Sequence, residues 1–199
     1  MKKDFVYLAS ASPRRSELLR QIGVPFQARP AEISEERLAG ETPEAYVVRL
    51  AAAKAETIFA STAADARPVL AADTAVVLDG ELLGKPADTA EAAAMLARLS
   101  GRTHRVLTAV ALLSGAAVES RLSVSEVRFR ATTAEERLAY CATGEPFDKA
   151  GGYGIQGHAA VFVEELKGSY SGVVGLPLLE TAALLARGGV GFWLAQRAA

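Results

Sequence analysis

Residues 68–78, Pro-Val-Leu-Ala-Ala-Asp-Thr-Ala-Val-Val-Leu, restrict the fold more than any other stretch of this chain. A run this apolar and this short reads as a buried strand, and Asp79-Gly80 followed by Glu81-Leu82-Leu83 reads as a two-residue hairpin turn into a second strand. One polar pair, Asp73-Thr74, interrupts the run. An ionised carboxylate in a buried strand costs several kcal/mol unless cations or hydrogen bonds compensate it, so Asp73 requires a partner. Counting outward from the turn sets Thr74 opposite Lys85. A one-residue shift at Gly84 or Pro86 would bring Lys85 onto the face of Asp73. Both registers are compatible with the sequence. So are both meanings of the pair: a buried Asp-Lys bridge that fixes the hairpin, or a base and a phosphate-binding cation at the edge of a cleft.

The second informative stretch is Ser-Ala-Ser-Pro-Arg-Arg at residues 10–15. Apolar residues 5–8 before it suggest a short strand, and the residues after it a helix that stops at Gly23. Ser12 is then the N-cap and Pro13 the first helical residue. Arg14 and Arg15 fall in the first turn, where the helix dipole disfavours cations. An anion would reconcile them: free N–H groups, the hydroxyls of Ser10 and Ser12 and two guanidinium groups form a cradle for phosphate oxygens. A solvated turn whose arginines pair with nearby carboxylates is the alternative.

Along the rest of the chain, residues 24–29 are a candidate strand and residues 30–40 a polar connection containing Glu32, Glu35 and Glu36. Thr42-Pro43 opens a helix with an apolar stripe at Val47, Leu50, Ala51 and Ile58. Lys54 falls in phase with that stripe, either snorkelling outward or aimed into a cleft. Asp88 with Glu91, and Thr133 with Glu136, are capping-box starts of two further helices. Residues 104–113 and 118–129 suggest paired strands, residues 161–166 another strand, and residues 168–175 a glycine-bearing loop before a C-terminal helix opened by Pro177. Between them lies Asp148-Lys149-Ala150-Gly151-Gly152-Tyr153-Gly154-Ile155-Gln156-Gly157. Its glycines permit positive φ and close approach to a ligand, and Gln156 carries the donor and acceptor needed to read a base edge. A tight glycine turn explains the same residues structurally. The spacing fits neither a dinucleotide-binding fingerprint nor a Walker A loop.

With 199 residues, 50% of them hydrophobic and a net charge of −1, the chain has a globular composition and no global basic field for nucleic acid. A single cysteine, Cys141, rules out an internal disulfide and a cysteine zinc cage, and reads as a buried structural thiol. His104 and His158 lack metal-ligand spacing, and no serine-nucleophile motif is present. The N-terminal residues are too sparsely apolar for a signal peptide or membrane span. The expectation is a soluble, cytoplasmic protein that binds neither nucleic acid nor membrane.

Taken in order, Ser-Ala-Ser-Pro-Arg-Arg-Ser-Glu-Leu-Leu at 10–19, Glu35, Lys54, Ala-Asp-Thr at 72–74, Gly-Lys-Pro at 84–86, Thr103-His104, the stretch 148–157 and Val-Gly-Leu-Pro at 174–177 resemble the Maf family of nucleoside triphosphate pyrophosphatases. The resemblance implies an α/β fold with an elongated mixed β-sheet, flanking helices and two lobes around a deep central cleft, similar in outline to inosine triphosphatases, in one domain spanning residues 1–199. It implies cleavage between the α and β phosphates with a divalent metal cation, Mg²⁺ or Mn²⁺. The branch it most resembles acts on dTTP and UTP, and on modified pyrimidine nucleotides. Asp73 matches the family's proton acceptor; Arg14, Thr74 and Gln156 match positions linked to substrate choice. Ser10, Ser12, Arg15, Glu35, Lys54 and Lys85 match other cleft residues, with Glu35 the candidate metal carboxylate. Nearby lysines should keep Asp73 ionised. A homodimer is also implied. The family's association with septum formation leaves a second reading, a nucleotide-binding regulator of cell division with little turnover.

Overall fold

The structure is a computed structural model that describes residues 5–62 and 67–193. Strand β1 (Val6–Leu8) leads into helix α1 (Pro13–Gln21), followed by strand β2 (Phe26–Ala28) and the long helix α2 (Pro43–Ser61). Strands β3 (Val69–Leu78) and β4 (Glu81–Leu83) form the expected hairpin, with Asp79 and Gly80 at φ of 53° and 83°. Two successive positive φ values are what a two-residue turn matched to strand twist requires. Helix α3 (Thr89–Leu99), strands β5 (Thr103–Ser114) and β6 (Ala117–Phe129) and helix α4 (Ala134–Cys141) follow. The Asp88 side chain accepts from Glu91 N–H, and Thr133 with Glu136 forms a reciprocal capping box, so both starts are set by satisfied backbone donors. Strand β7 (Val163–Lys167) and helices α5 (Tyr170–Val174) and α6 (Leu178–Arg187) come after them.

Two expectations are corrected. The glycine-bearing loop at 168–175 contains α5, because the Ser169 hydroxyl accepts from Gly172 N–H and starts a helical turn. The strand expected from residue 161 begins at Val163, since His158–Phe162 is a 3₁₀ segment.

One mixed sheet runs in the order β2-β1-β3-β5-β6-β7, with β4 also on β3. β1 pairs in parallel with β2 and β3, and the remaining pairs are antiparallel. On one edge of β3, β1 pairs only with Val69 and Leu70 and β4 only with Val76 to Leu78. Residues 71–75 are therefore unpaired on that edge, and the Asp73-Thr74 interruption sits in the gap. The end of β1 and the start of α1 border it on one side, and the segment after β4 borders it on the other.

Strand alternation divides the core. Val69, Ala71, Ala75 and Val77 face a cluster with Val47, Ala51 and Ala55 of α2. On the opposite face Leu70 and Ala72 join Leu18, Leu19, Leu184 and Leu185, whereas Val76 and Leu78 join Leu96, Leu99, Phe129 and Tyr153. Asp73 therefore points toward α2, and Thr74 lies on the other face between two separate clusters. Cys141 is buried, as expected. No described helix is long and apolar enough to cross a membrane.

Candidate active site

A cleft of about 320 Å³ opens at the gap in the β3 edge, within the size range of small-molecule sites. Its first wall is the start of α1. Ser12 occupies the N-cap position with extended backbone but makes no side-chain capping bond, which leaves the first-turn N–H groups of α1 without a side-chain cap and suited to an anion. The Ser10 hydroxyl accepts from Ser12 N–H at 3.1 Å and from Arg15 at 3.3 Å. Ser10 is buried and does not line the cleft; it braces the residues that do.

Arg15 is held on three sides. It donates to Gly175 O at 2.8 Å, to the Ser10 hydroxyl and to the Thr74 hydroxyl at 3.2 Å. Thr74 is directly opposite Thr108 in the β3–β5 ladder, with their hydroxyls 3.1 Å apart, and Thr108 donates to Gly172 O at 2.7 Å. Thr74 thus ties α1, β5 and α5 together beneath the guanidinium.

On the other face of β3, Asp73 is 6% exposed. Its partner is Lys54, whose Nζ lies 2.6 Å from Asp73 Oδ1 and 2.6 Å from Glu35 Oε1. The hairpin does not supply the partner: β4 ends at Leu83, two residues short of Lys85, so neither register proposed for Lys85 exists as a ladder pair. Lys85 instead sits exposed on the rim. Burial pushes the Asp73 carboxyl above the ordinary aspartate value, and Lys54 and Arg15 oppose this without reversing it. The cations thus limit the rise without overcoming desolvation. For Glu35, burial again pushes upward, but Lys54, with Lys85 and Arg15 behind it, prevails and holds the carboxyl below the ordinary range. The segment carrying Glu35 is anchored to α2: Tyr46 donates to Glu35 O at 2.9 Å, and Arg49 donates to Glu36 O and to both carboxylate oxygens of Glu41.

The opposite wall is residues 148–156. Arg14 pairs with Asp148 at 3.0 Å, and Asp148 with Lys149 at 2.6 Å. The alternative in which a first-turn arginine meets a carboxylate is therefore realised for Arg14, with a carboxylate across the cleft. Gly151 has φ of 72°, and a Cβ there would lie 2.9 Å from both Val76 methyl groups, so the loop lies directly on β3. Tyr153 is buried, its hydroxyl 2.7 Å from His104 Nε2, and burial pushes His104 down to about 4, so the ring is neutral at pH 7. Gln156 is exposed and lines the cleft.

All predicted site residues except Ser10 line this one cleft. Three further participants escaped the sequence: Tyr46, Thr108 and Asp148 as the partner of Arg14. Two left a signal. Tyr46, Leu50 and Lys54 recur at four-residue steps on one helix face, and Thr108 interrupts the apolar run of β5 as Thr74 interrupts that of β3.

Among the described residues no three His, Cys, Asp or Glu side chains cluster to hold a metal. Asp73 and Glu35 nonetheless converge on one ammonium. Of the two, the more exposed Glu35 carboxylate is the hard oxygen donor that would hold a divalent cation.

A family described as Maf-like protein matches residues 5–188. A protein of Aromatoleum aromaticum named dTTP/UTP pyrophosphatase is 54% identical over 192 residues, covering 90% of this chain and 93% of its own. Relatives of the same name in Burkholderia thailandensis and Ralstonia nicotianae are also 54% identical, covering 94% and 93% of this chain and 95% and 94% of their own. A solved nucleoside triphosphatase, described as a dITP/XTP pyrophosphatase of Mycobacterium abscessus, is 18% identical with a TM-score of 0.45, covering 94% of this chain and 95% of its own. That last similarity is too slight to support any argument.

Proposed function

The chain belongs to the Maf family, and from that premise we propose that its cleft hydrolyses nucleoside triphosphates, dTTP and UTP foremost, to the monophosphate and pyrophosphate. The observation that carries the reading is Asp73: a buried carboxylate in a gap of the sheet edge, bonded to Lys54 at 2.6 Å and facing a cleft bordered by a helix N-terminus. Burying a carboxylate there costs desolvation, and a general base requires a group that is basic, oriented and close to the reacting phosphate.

Triphosphate carries about four negative charges at neutral pH. Arg14, Arg15, Lys54, Lys85 and the first turn of α1 supply the opposing field. Arg15, immobilised by three acceptors, gives a fixed guanidinium; Arg14, on the rim, exchanges Asp148 for substrate. Asp73 accepts a proton at its carboxylate from the water that attacks phosphorus, and its raised proton affinity suits that role. Glu35 is the carboxylate for a divalent cation, Mg²⁺ or Mn²⁺, which when bound neutralises charge on the phosphates and on leaving pyrophosphate. Gln156, with Arg14, reads the pyrimidine edge, and Thr74 contributes to substrate choice through its hold on Arg15. In keeping with the family resemblance and the near-neutral net charge, we place the protein in the cytoplasm as a homodimer that does not bind nucleic acid.

The test is pyrophosphate release from dTTP, UTP, CTP, GTP and ITP, with each metal and with chelator. Metal-dependent release concentrated on dTTP and UTP, reduced at least about 100-fold in Asp73→Asn with nucleotide binding retained, is the expected result. Binding without turnover in folded wild-type protein would refute the enzyme reading and favour a nucleotide-dependent regulator.

A further inference from the structure

We propose that Glu145 is a positioning residue for base choice, holding the segment that carries Gln156 against the cleft. The inference rests on the pyrophosphatase reading above. Glutamate side chains are mostly exposed, yet this one is 14% exposed and turned inward. Its Oε1 accepts from the Tyr140 hydroxyl at 2.9 Å, and its Oε2 accepts from His158 N–H at 2.9 Å and lies 2.9 Å from His158 Nδ1. The Tyr140 hydroxyl in turn accepts from Gly154 N–H at 3.3 Å. One carboxylate therefore grips both ends of residues 154–158, directly at His158 and through Tyr140 at Gly154. Gln156 is the midpoint of that span.

The glycine between Gln156 and His158 belongs to the same device. A Cβ on Gly157 would lie 2.4 Å from both carboxylate oxygens of Glu145, and one on Gly154 would lie 3.2 Å from Oε1. Gly157 has φ of −107°, which any residue adopts, so its backbone conformation does not demand glycine. The Glu145 carboxylate occupies the place a side chain at 157 would take, so a larger residue there displaces it. Burial alone would raise the Glu145 carboxyl, but the bonds from His158 and Tyr140 hold it below the ordinary range, leaving it an acceptor at neutral pH. A base edge is discriminated only when the reading group is held within about 0.5 Å. Glu145 supplies that constraint from behind the loop without itself lining the cleft.

Two variants test this. Glu145→Gln keeps the volume but turns one acceptor oxygen into a donor that faces existing donors; Gly157→Ala keeps the carboxylate but forces it away. For each, kcat and KM are measured with UTP and CTP, alongside the melting temperature. The expected result in both is a fall of about tenfold or more in the UTP-to-CTP ratio of kcat/KM, arising mainly in the KM for UTP. A folded variant of either kind with the wild-type ratio overturns the inference, including one that loses activity equally on both nucleotides, as a merely structural role would produce. Wild-type protein that releases pyrophosphate from neither nucleotide would instead refute the pyrophosphatase reading, and the inference with it.

Discussion

Replacing Lys54 by methionine removes the ammonium shared by Asp73 and Glu35 while keeping an unbranched side chain of similar length. At 2.6 Å and an effective dielectric of about 20, the attraction between Lys54 and Asp73 is roughly 6 kcal/mol. Desolvating the ammonium offsets part of this, and Arg15 also bears on Asp73. Opposite charges at contact shift a carboxyl by about 1–3 pKa units, or about 1.4–4 kcal/mol. Burial has already pushed Asp73 upward, so loss of Lys54 moves it further in the same direction. The acid limb of kcat/KM should rise by about 1–3 pH units, and a carboxyl NMR titration should show Asp73 moving with it. Glu35, now held low chiefly by Lys54 against burial, should also move up. Stability carries a second signature. Because native Asp73 binds its proton more tightly than the unfolded chain, stability falls with rising pH between the unfolded value near 3.8 and the native one. Raising the native value extends that window toward neutrality. The stability deficit of Lys54→Met should therefore grow from acid to neutral pH, by up to about 1.4 kcal/mol per unit within the window. An unchanged Asp73 titration and acid limb would refute the assignment of Lys54 as its compensating charge.

Phe129, 1% exposed, has its ring 4.8 Å from that of Tyr153 and 5.1 Å from that of His104; Phe129→Ala should cost about 3–5 kcal/mol by denaturant unfolding, and a cost under about 1 kcal/mol would contradict the packing described. Gly151 and Gly152 share positive φ, at 72° and 69°, but only Gly151 would drive a Cβ into Val76, at 2.9 Å, while Gly152 meets Pro86 at 3.5 Å. Gly151→Ala should therefore destabilise by about 1–3 kcal/mol more than Gly152→Ala, and equal costs would show that backbone conformation alone decides both.

Residue order was enough to place what depends on neighbours in the chain. The Asp79-Gly80 turn, the Pro13 and Pro43 helix starts and the caps at Asp88 and Thr133 are all present, because φ preferences and local hydrogen bonds act within a few residues. The same logic showed that Asp73 needed a compensating charge. It did not say which. Lys85 is nearer along the chain's hairpin, but β4 stops at Leu83; Lys54 was chosen because α2 covers the face of β3 on which Asp73 lies. That choice is a fact of layer packing, and no periodicity within either segment encodes which helix covers which face. Arg14 reaching Asp148 across 134 residues, and Glu145 gripping both ends of the Gln156 segment, have the same origin. The sequence by itself determined the elements, their ends and the residue types that required partners; tertiary structure decided the partners, because compensation of a buried or clefted charge is settled by whichever group the packed layers bring within about 3 Å.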